Sequence, residues 1–260
     1  MEGVGDCSKE FAPLDALVAV TTLPKPPERP IVLYLIMVGW IALPIGVAFL
    51  IGFVIGILHL LGHNRLAANA SMTLLSLVCL QTGLVLAAWH RAGKVGWQGS
   101  RTDGFGDTRT RHRWLVGILM VVFTLWAALG WAVRMQLIHV HAPLPMSMEV
   151  TFAAAEPVTR IGFIVMMTLA APVAEELFFR GWLWTGLRRF WKPVPVMFGT
   201  AIPWFVLHGL DDYHALLPLL PLTIALSVVR HFCGIRASIA LHAVNNTARA
   251  ALFLVFYGLH

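Results

Sequence analysis

Long apolar segments dominate this 260-residue sequence and constrain its fold more than any other feature. About seven of them approach or exceed the roughly 20 residues that a helix needs to cross a bilayer. Hydrophobic residues make up 58% of the chain and charged residues only 12%, against about 25% charged residues in a typical soluble domain. We therefore expect an all-α, polytopic integral membrane protein.

Charged and proline-rich stretches mark where the expected spans end. The spans cover residues 31–61, 66–89, 114–138, 160–187, 194–210, 215–229 and 237–257. An eighth helix is expected if Pro44 splits the first span or if residues 139–159 contain a half-helix. Pro218 and Pro221 predict that the sixth span is broken or partly re-entrant, because each lacks a backbone donor.

The charges between the spans predict the orientation of the chain. Residues 91–113 hold six Lys or Arg and two Asp, which places this loop in the cytoplasm by the positive-inside rule. The alternation of spans then places residues 1–30 there too, as a polar, uncleaved cytosolic tail without a signal peptide. We expect a multi-pass protein of the cell membrane. The net charge of +6 is interpreted as a topology signal, and no nucleic-acid partner is expected.

Strongly polar residues inside the spans are concentrated near the C-terminal end. A charged side chain at the bilayer centre costs roughly 2.5–3.5 kcal/mol on insertion scales, so such residues need partners, water or a function. At a rise of about 1.5 Å per residue they reach similar depths, which predicts one polar cavity. The residues are Glu175, Glu176, Arg180, His208, His242, Asn245, Asn246 and Arg249.

Helical spacing separates the two adjacent glutamates. Glu176 and Arg180 are four residues apart with the acid first, which favours an ion pair, whereas Glu175 points about 100° away. We therefore expect Glu175 to be left without a partner. His242 and Asn246 are also four residues apart and share a helix face.

A carboxylate and two histidines in a partly desolvated cavity can activate a water and stabilise an oxyanion. Glu175, His208 and His242 also form a ligand set that zinc uses in catalytic sites. Each group has a purely structural interpretation as well. The ion pair can fix helix register, His208 can cap a helix near the outer interface, and His242 with Asn246 can form interhelical hydrogen bonds.

Three motifs occur in order on the late spans, and together they are specific. They are Glu175-Glu176-x-x-x-Arg180, an aromatic-x-x-x-His motif from Trp204 to His208, and His242-x-x-x-Asn246. This pattern resembles the CPBP family of intramembrane proteases, which includes type II CAAX prenyl endopeptidases and bacterial immunity-type relatives. The resemblance covers about residues 158–257. It departs at position 204, where the family usually has Phe.

The resemblance implies peptide-bond hydrolysis inside the membrane, with catalytic helices in the C-terminal half. Residues 158–260 would form the catalytic membrane domain, and residues 31–157 a transmembrane scaffold. Glu175 would activate the water, His208 would position it, and His242 with Asn246 would stabilise the oxyanion. Glu176 and Arg180 would support the helix. The expected substrate pocket consists of Trp204, Phe205, Phe179 and Asn245.

The substrate expected from the resemblance is a lipidated or membrane-embedded peptide, reached from the lipid bilayer. No cofactor is required by the sequence, and a zinc-dependent protease on the same residues stays open. A transporter with intramembrane acids and a non-catalytic immunity or maturation factor are the alternatives from other classes. A transporter would be expected to contain paired broken helices.

Overall fold

The computed structural model describes residues 29–59, 65–95, 113–140, 148–211 and 216–257. Within these ranges all regular secondary structure is helical, which confirms the all-α prediction. Most of the expected cytosolic tail and most of loop 91–113 lie outside the described residues. The helices are α1 (Pro30–His59), α2 (Arg65–Val95), α3 (Arg113–Val140), α4 (Met148–Ala154), α5 (Pro157–Leu187), α6 (Pro193–Asp211), α7 (Leu216–Cys233) and α8 (Ile235–Tyr257).

The described helices are those of a membrane protein. Three stretches are long and apolar enough to cross a bilayer by length and composition: Pro30–Gly52, Ala70–Ala92 and Pro157–Leu187. Shorter apolar stretches lie in α3, α6 and α7. Large apolar side chains are exposed on the helices, for example Phe49 at 72%, which suits a surface that faces lipid rather than water.

Two expectations about prolines in the spans are resolved by the backbone. Pro44 lies inside α1 and does not split it. The short helix α4 falls in the 139–159 segment, where a half-helix was the other way to reach eight helices. The prediction of a broken sixth span is wrong, since α7 is continuous. Pro218 lies in its first turn, where a backbone N–H would have no helical partner anyway, and Pro221 removes a single donor.

Helix α2 extends further than the sequence suggested. It ends at Val95, so Arg91 and Lys94 lie on the helix rather than in the loop that was expected to begin at residue 91. Arg91 is buried at 7% exposure and its Nη2 lies close to Gly186 of α5. The long aliphatic stem of an arginine accounts for such a position near the end of an apolar helix.

Helix α5 is the centre of the fold, and its winding is irregular. Wider π-helical turns occupy Met166–Ala170 and Glu176–Leu183, on either side of a short α-helical stretch, Ala171–Glu175. Such turns are rare and frequent at functional sites. All residues from 178 to 187 are buried, so this part of α5 is enclosed by the other helices.

The hydrophobic core surrounds the second half of α5. Leu183, Trp184 and Leu187 have no exposed surface, and they belong to one cluster with buried residues from α1, α2, α6, α7 and α8. The two long N-terminal helices thus contact the helices that carry the polar motifs. The N-terminal scaffold and the C-terminal helices form one packed unit.

A glycine turn places α8 beside α5. Gly234 separates α7 from α8 and has φ of 96°, a conformation that residues with a Cβ rarely adopt. Its N–H donates to the Arg230 carbonyl at 3.3 Å, which closes the end of α7. The chain reverses there, so that Ser238 and His242 of α8 face the polar stretch of α5.

Candidate active site

Glu176 lies at the centre of a buried polar cluster. It has no exposed surface, and its Oε1 accepts a hydrogen bond from Arg180 Nη1 at 3.0 Å. His242 Nδ1 lies 3.1 Å from the same oxygen, and the Ser238 hydroxyl donates to Oε2 at 2.5 Å. Three donors on one buried carboxylate compensate much of the cost of removing it from water. This confirms the predicted ion pair and adds a connection from α5 to α8.

Glu175 is not left without a partner, so that prediction was wrong. Gln81 Nε2 of α2 donates to Glu175 Oε1 at 3.1 Å, and Trp204 Nε1 of α6 donates to Oε2 at 2.7 Å. The carboxylate is therefore fixed by neutral N–H donors from two other helices. It was correctly predicted to have no ion pair with Arg180, because its side chain leaves α5 on a different face.

Two histidines turn toward Glu175. His208 Nε2 lies 3.7 Å and His242 Nε2 4.0 Å from Glu175 Oε2. We expected polar residues of three spans to meet at one depth, and Glu175, His208 and His242 do so. His208 is the exposed member, with 31% of its side chain accessible, whereas only 2% of the His242 side chain is accessible. The cluster therefore opens on the side of His208.

The other ring nitrogens fix the proton positions of both histidines. His208 Nδ1 lies 2.8 Å from the Trp204 carbonyl, which can only accept, so Nδ1 carries a hydrogen. His242 Nδ1 faces the Glu176 carboxylate, which also accepts. In the neutral form of either ring, Nε2 is then an unprotonated acceptor that faces Glu175.

Trp204 connects every part of this cluster. It is 1% exposed, and its ring lies 4.1 Å from the His208 ring and 5.5 Å from the His242 ring, centroid to centroid. The Arg180 guanidinium lies over its face at 5.1 Å, a cation–π contact. The indole N–H that bonds Glu175 is available only to a tryptophan, so the departure from the usual Phe gives this carboxylate an additional donor.

The remaining predicted site residues lie around the cluster. Asn246 Nδ2 donates to the Met167 carbonyl at 3.0 Å, and its Oδ1 accepts from Asn245 Nδ2 at 3.3 Å. Asn246 therefore faces the first π-helical segment of α5 rather than Glu175. Phe179 is buried at 2% and packs edge-on against Phe178, while Phe205 is partly buried against the core.

Comparison with known proteins gives a match only to the C-terminal helices of the chain. Residues 157–248 match the family described as type II CAAX prenyl endopeptidase Rce1-like. The search of curated proteins and the search of solved structures found no match. The matched residues, here called the Rce1-like segment, begin with α5 and include Glu175, His208 and His242.

The match confirms the resemblance to CAAX-type intramembrane proteases. The Rce1-like family is a family of CAAX-type proteases, which are hydrolases. The chain is a membrane protein with long apolar helices, and its residues 157–248 are similar to this protease family. The matched range agrees closely with the residues expected from the motifs.

Sequence reasoning missed three residues that the structure places at the cluster. Ser238 lies four residues before His242, so their shared helix face could have indicated it. Arg230 donates from Nε to the Arg180 carbonyl at 2.8 Å, and it comes directly after the expected span 215–229. Gln81 lies in the expected span 66–89, outside the Rce1-like segment. Its only signal was an amide at membrane depth.

The ligand types at this cluster suit zinc, but their spacing does not form a site. Tetrahedral ligands at about 2.0–2.1 Å from zinc lie roughly 3.3–3.4 Å apart, shorter than either separation between Glu175 and a histidine. Among the described residues, no group of three or more His, Cys, Asp or Glu has a metal-binding arrangement. The cluster is wider than a preformed zinc site.

Proposed function

We propose that this chain is an intramembrane endopeptidase that hydrolyses a peptide bond in a lipidated or membrane-embedded substrate. The observation that carries the proposal is the separation of Glu175 Oε2 from the two histidine Nε2 atoms, 3.7 and 4.0 Å. These distances exceed a direct hydrogen bond. A water molecule that donates hydrogen bonds of about 2.7–2.8 Å to Glu175 and to His208 would bridge these two groups.

Glu175 and His208 would activate this water. The carboxylate is the general base, and its two N–H donors hold it in a single orientation. His208 Nε2, unprotonated because Nδ1 donates to the Trp204 carbonyl, accepts the second hydrogen of the water. The oxygen lone pair is then directed away from both groups, toward a substrate carbonyl carbon. Such general base catalysis contributes typically about 10²–10⁴-fold to rate.

His242 would stabilise the oxyanion that forms on the substrate. Its Nδ1 hydrogen is directed to Glu176, so it donates from Nε2 only as the imidazolium. The buried ion pair of Glu176 and Arg180 holds the ring in place for this role. Asn246 supplies a second donor if its amide turns away from the Met167 carbonyl, to which it donates in this structure.

The reaction is completed by proton transfer to the leaving group. When the tetrahedral intermediate collapses, the carbon–nitrogen bond breaks and the proton held by Glu175 moves to the leaving amine. The products are a new carboxylate and a new amino terminus. Glu175 returns to its ionised form, and a second water replaces the first.

The substrate would enter from the side of His208, the exposed member of the cluster. A lipid chain or a transmembrane peptide would lie along the apolar surface, where residues such as Ile202 and Val206 of α6 are exposed at 57% and 49%. We place the protein in the cell membrane with its N-terminus in the cytoplasm, supported by the basic residues between α2 and α3. Labelling of single cysteines in intact cells tests this orientation.

A zinc-dependent protease on the same residues is the second candidate. It is favoured by the two histidines, each held at Nδ1 by an acceptor with Nε2 directed at Glu175, as in many zinc sites. Glu175, His208 and His242 would hold the ion only after moving closer together than in this structure, and the ion would then supply Lewis-acid chemistry. Elemental analysis of active protein and activity after chelation decide between the two: full activity without stoichiometric metal removes this candidate.

The proposed function is tested with the purified full chain in liposomes. A panel of a farnesylated CAAX peptide, an acylated peptide and transmembrane peptides is followed by mass spectrometry. We expect cleavage of at least one member, and loss of that cleavage in Glu175→Gln. Glu156→Gln is the matched control, since Glu156 is exposed at the start of α5 and makes no side-chain cap. No cleavage of any member, or equal cleavage by Glu175→Gln, would contradict the proposal.

A further inference from the structure

Gln81 is a scaffold residue whose side chain bonds Glu175 of the Rce1-like segment. It lies in the middle of α2, 76 residues before the segment begins at residue 157, and it is 5% exposed. Its Nε2 donates to Glu175 Oε1 across the interface of α2 and α5. Two residues later Gly83 packs so closely on Pro44 of α1 that any Cβ there would overlap the proline ring. Gln81 is therefore held on a tightly packed part of the scaffold.

The orientation of the Gln81 amide follows from its partner. A carboxylate only accepts hydrogen bonds, so Nε2 must face Glu175. Oε1 is attached to the same carbon and is consequently an acceptor directly beside the Glu175 carboxylate. In the described part of the chain this buried oxygen has no hydrogen-bond partner.

An unpaired buried acceptor destabilises the folded state, because its hydrogen bond to water is lost and not replaced. Two other polar side chains of α2 are satisfied locally. Ser76 and Thr82 bond instead to carbonyls of their own helix, those of Met72 and Val78, at 3.0 and 2.7 Å. Gln81 does not turn to its own helix. It presents an acceptor next to the carboxylate that the proposed mechanism uses.

A peptide supplies the group that this acceptor lacks. The substrate backbone carries an N–H on each residue beside the bond to be cleaved, and an extended peptide that enters the membrane interior must satisfy those donors. A hydrogen bond from peptide to Gln81 fixes the scissile carbonyl relative to Glu175, since both are held by one amide group.

We propose that Gln81 is a substrate-positioning residue: its Nε2 orients Glu175, and its Oε1 accepts one backbone N–H of the bound peptide. This inference rests on the proposed endopeptidase function and extends it to the N-terminal scaffold. It gives α2 a direct part in peptide recognition, in addition to its packing against α5.

The test combines a protein variant with substrates that lack single N–H groups. The farnesylated CAAX peptide is synthesised with an ester in place of each backbone amide in turn near the cleaved bond, excluding that bond itself. We expect one ester to reduce kcat/KM of the wild type by roughly tenfold, the range of a lost hydrogen bond to a buried acceptor. With Gln81→Leu the same ester should cost less than about twofold, because the acceptor is already gone.

Two further variants separate recognition from folding. Gln81→Met provides a second apolar side chain if the leucine variant is unstable, and Ser76→Ala is the matched control on the same helix. Ser76→Ala should retain the full ester effect. Thermal unfolding in detergent should show Gln81→Leu or Gln81→Met folded, with an unchanged pattern of cleavage sites on the unmodified peptide.

The outcomes separate a failure of the Gln81 role from a failure of the endopeptidase function. If every ester costs the same in Gln81→Leu as in the wild type, or none affects the wild type, the role of Gln81 is overturned while the endopeptidase function stands. If the wild type cleaves no peptide of the panel, both fail. An ester effect that disappears only in the Gln81 variants supports the inference.

Discussion

Three hydroxyl groups of the N-terminal helices and the two glutamates of the C-terminal helices make different kinds of hydrogen bond. In α2 and α3, Ser76, Thr82 and Thr124 donate to carbonyls four residues earlier on their own helix. In the Rce1-like segment, Glu175 and Glu176 accept hydrogen bonds from other helices. Local bonds satisfy a helix by itself, whereas bonds across helices fix the relative positions of side chains.

This difference shows where the membrane protein requires a defined geometry. The exposed apolar residues on α1 to α3 face lipid, and we expect substitutions by other apolar residues there to have little effect, because contacts with lipid are not specific. The cluster at Glu175 depends on the distances between four helices. Gln81 is the scaffold residue that bonds Glu175 rather than its own helix. Tyr34 of α1 also bonds across helices, since its hydroxyl donates to the Gly199 carbonyl of α6 at 3.0 Å.

The largest expected effect is on activity and concerns the two histidines. His208→Phe and His242→Phe keep an aromatic ring but remove both nitrogens. We expect each to lower kcat by about 10²–10⁴-fold, because water positioning or oxyanion stabilisation is lost. His231→Phe is the control, since His231 lies on α7 beside Phe232, away from Glu175. Similar losses in all three variants would indicate a general structural role for histidines.

The next effect is on stability and concerns the buried ion pair. Glu176→Ala leaves Arg180 without its carboxylate at a position with no exposed surface, and we expect a loss of about 3–5 kcal/mol in the free energy of unfolding. The double variant Glu176→Met, Arg180→Met should recover most of that stability, since apolar residues of similar size often replace a buried pair. Denaturation in detergent measures both. A double variant as unstable as Glu176→Ala would show that the pair itself is required for folding.

A smaller effect is expected when Trp204 loses only its donor. Trp204→Phe keeps a ring near both histidines but removes the N–H bonded to Glu175, a bond to a charged group worth about 1.5–3 kcal/mol. We expect kcat/KM to fall roughly 10- to 100-fold. Trp184→Phe is the matched control, because Trp184 is fully buried and its Nε1 has no partner in the described part of the chain. Equal activity of both variants would remove Trp204 from the positioning of Glu175.

Asn246→Ala should have less effect than His242→Phe. The Asn246 amide donates to Met167 in this structure, so its contribution to an oxyanion needs a rotation that the histidine does not. We expect a loss of about tenfold in kcat, the scale of one additional hydrogen-bond donor. Steady-state kinetics on a cleaved peptide measure it. A loss as large as that of His242→Phe would mean that the Asn246 amide turns fully into the site during the reaction.

The smallest effect is expected on the scaffold side. Thr124→Val in α3 removes a hydroxyl that bonds only the Met120 carbonyl, and we expect a change in stability within about 0.5 kcal/mol and no change in kcat. Thermal unfolding and peptide cleavage measure both quantities. A loss of activity in Thr124→Val would show that local bonds in the scaffold also determine the site, and the contrast between the two regions would then fail.

Much of this architecture was predictable because apolar length and charged ends are local properties. The expected spans lie close to α1, α2, α3, α5, α6, α7 and α8, and their polar residues meet as helical rise predicts. The sequence pattern did not reveal the π-helical turns of α5, which depend on packing around buried residues. Nor did the proline rule predict a continuous α7, because Pro218 lies in its first turn and Pro221 removes only one donor.

The partners of Glu175 were the least predictable part of the site. Spacing along α5 correctly separated Glu175 from Arg180, but it contains no information about α2 or α6. The donors Gln81 and Trp204 are 94 and 29 residues away in sequence. Contacts of this kind depend on how the helices are aligned against one another when they pack. A single sequence does not contain that alignment.

Cleavage of the farnesylated CAAX peptide in water enriched in ¹⁸O tests the arrangement of Glu175 and the histidines most directly. If Glu175 activates a water at the point that His208 and His242 face, the new carboxylate of the product gains one ¹⁸O atom during the first turnover. Glu175→Gln, folded to the same extent by thermal unfolding, should then form no product. Product formed at the wild-type rate by Glu175→Gln, or product without the label, would contradict a glutamate-activated water at this site.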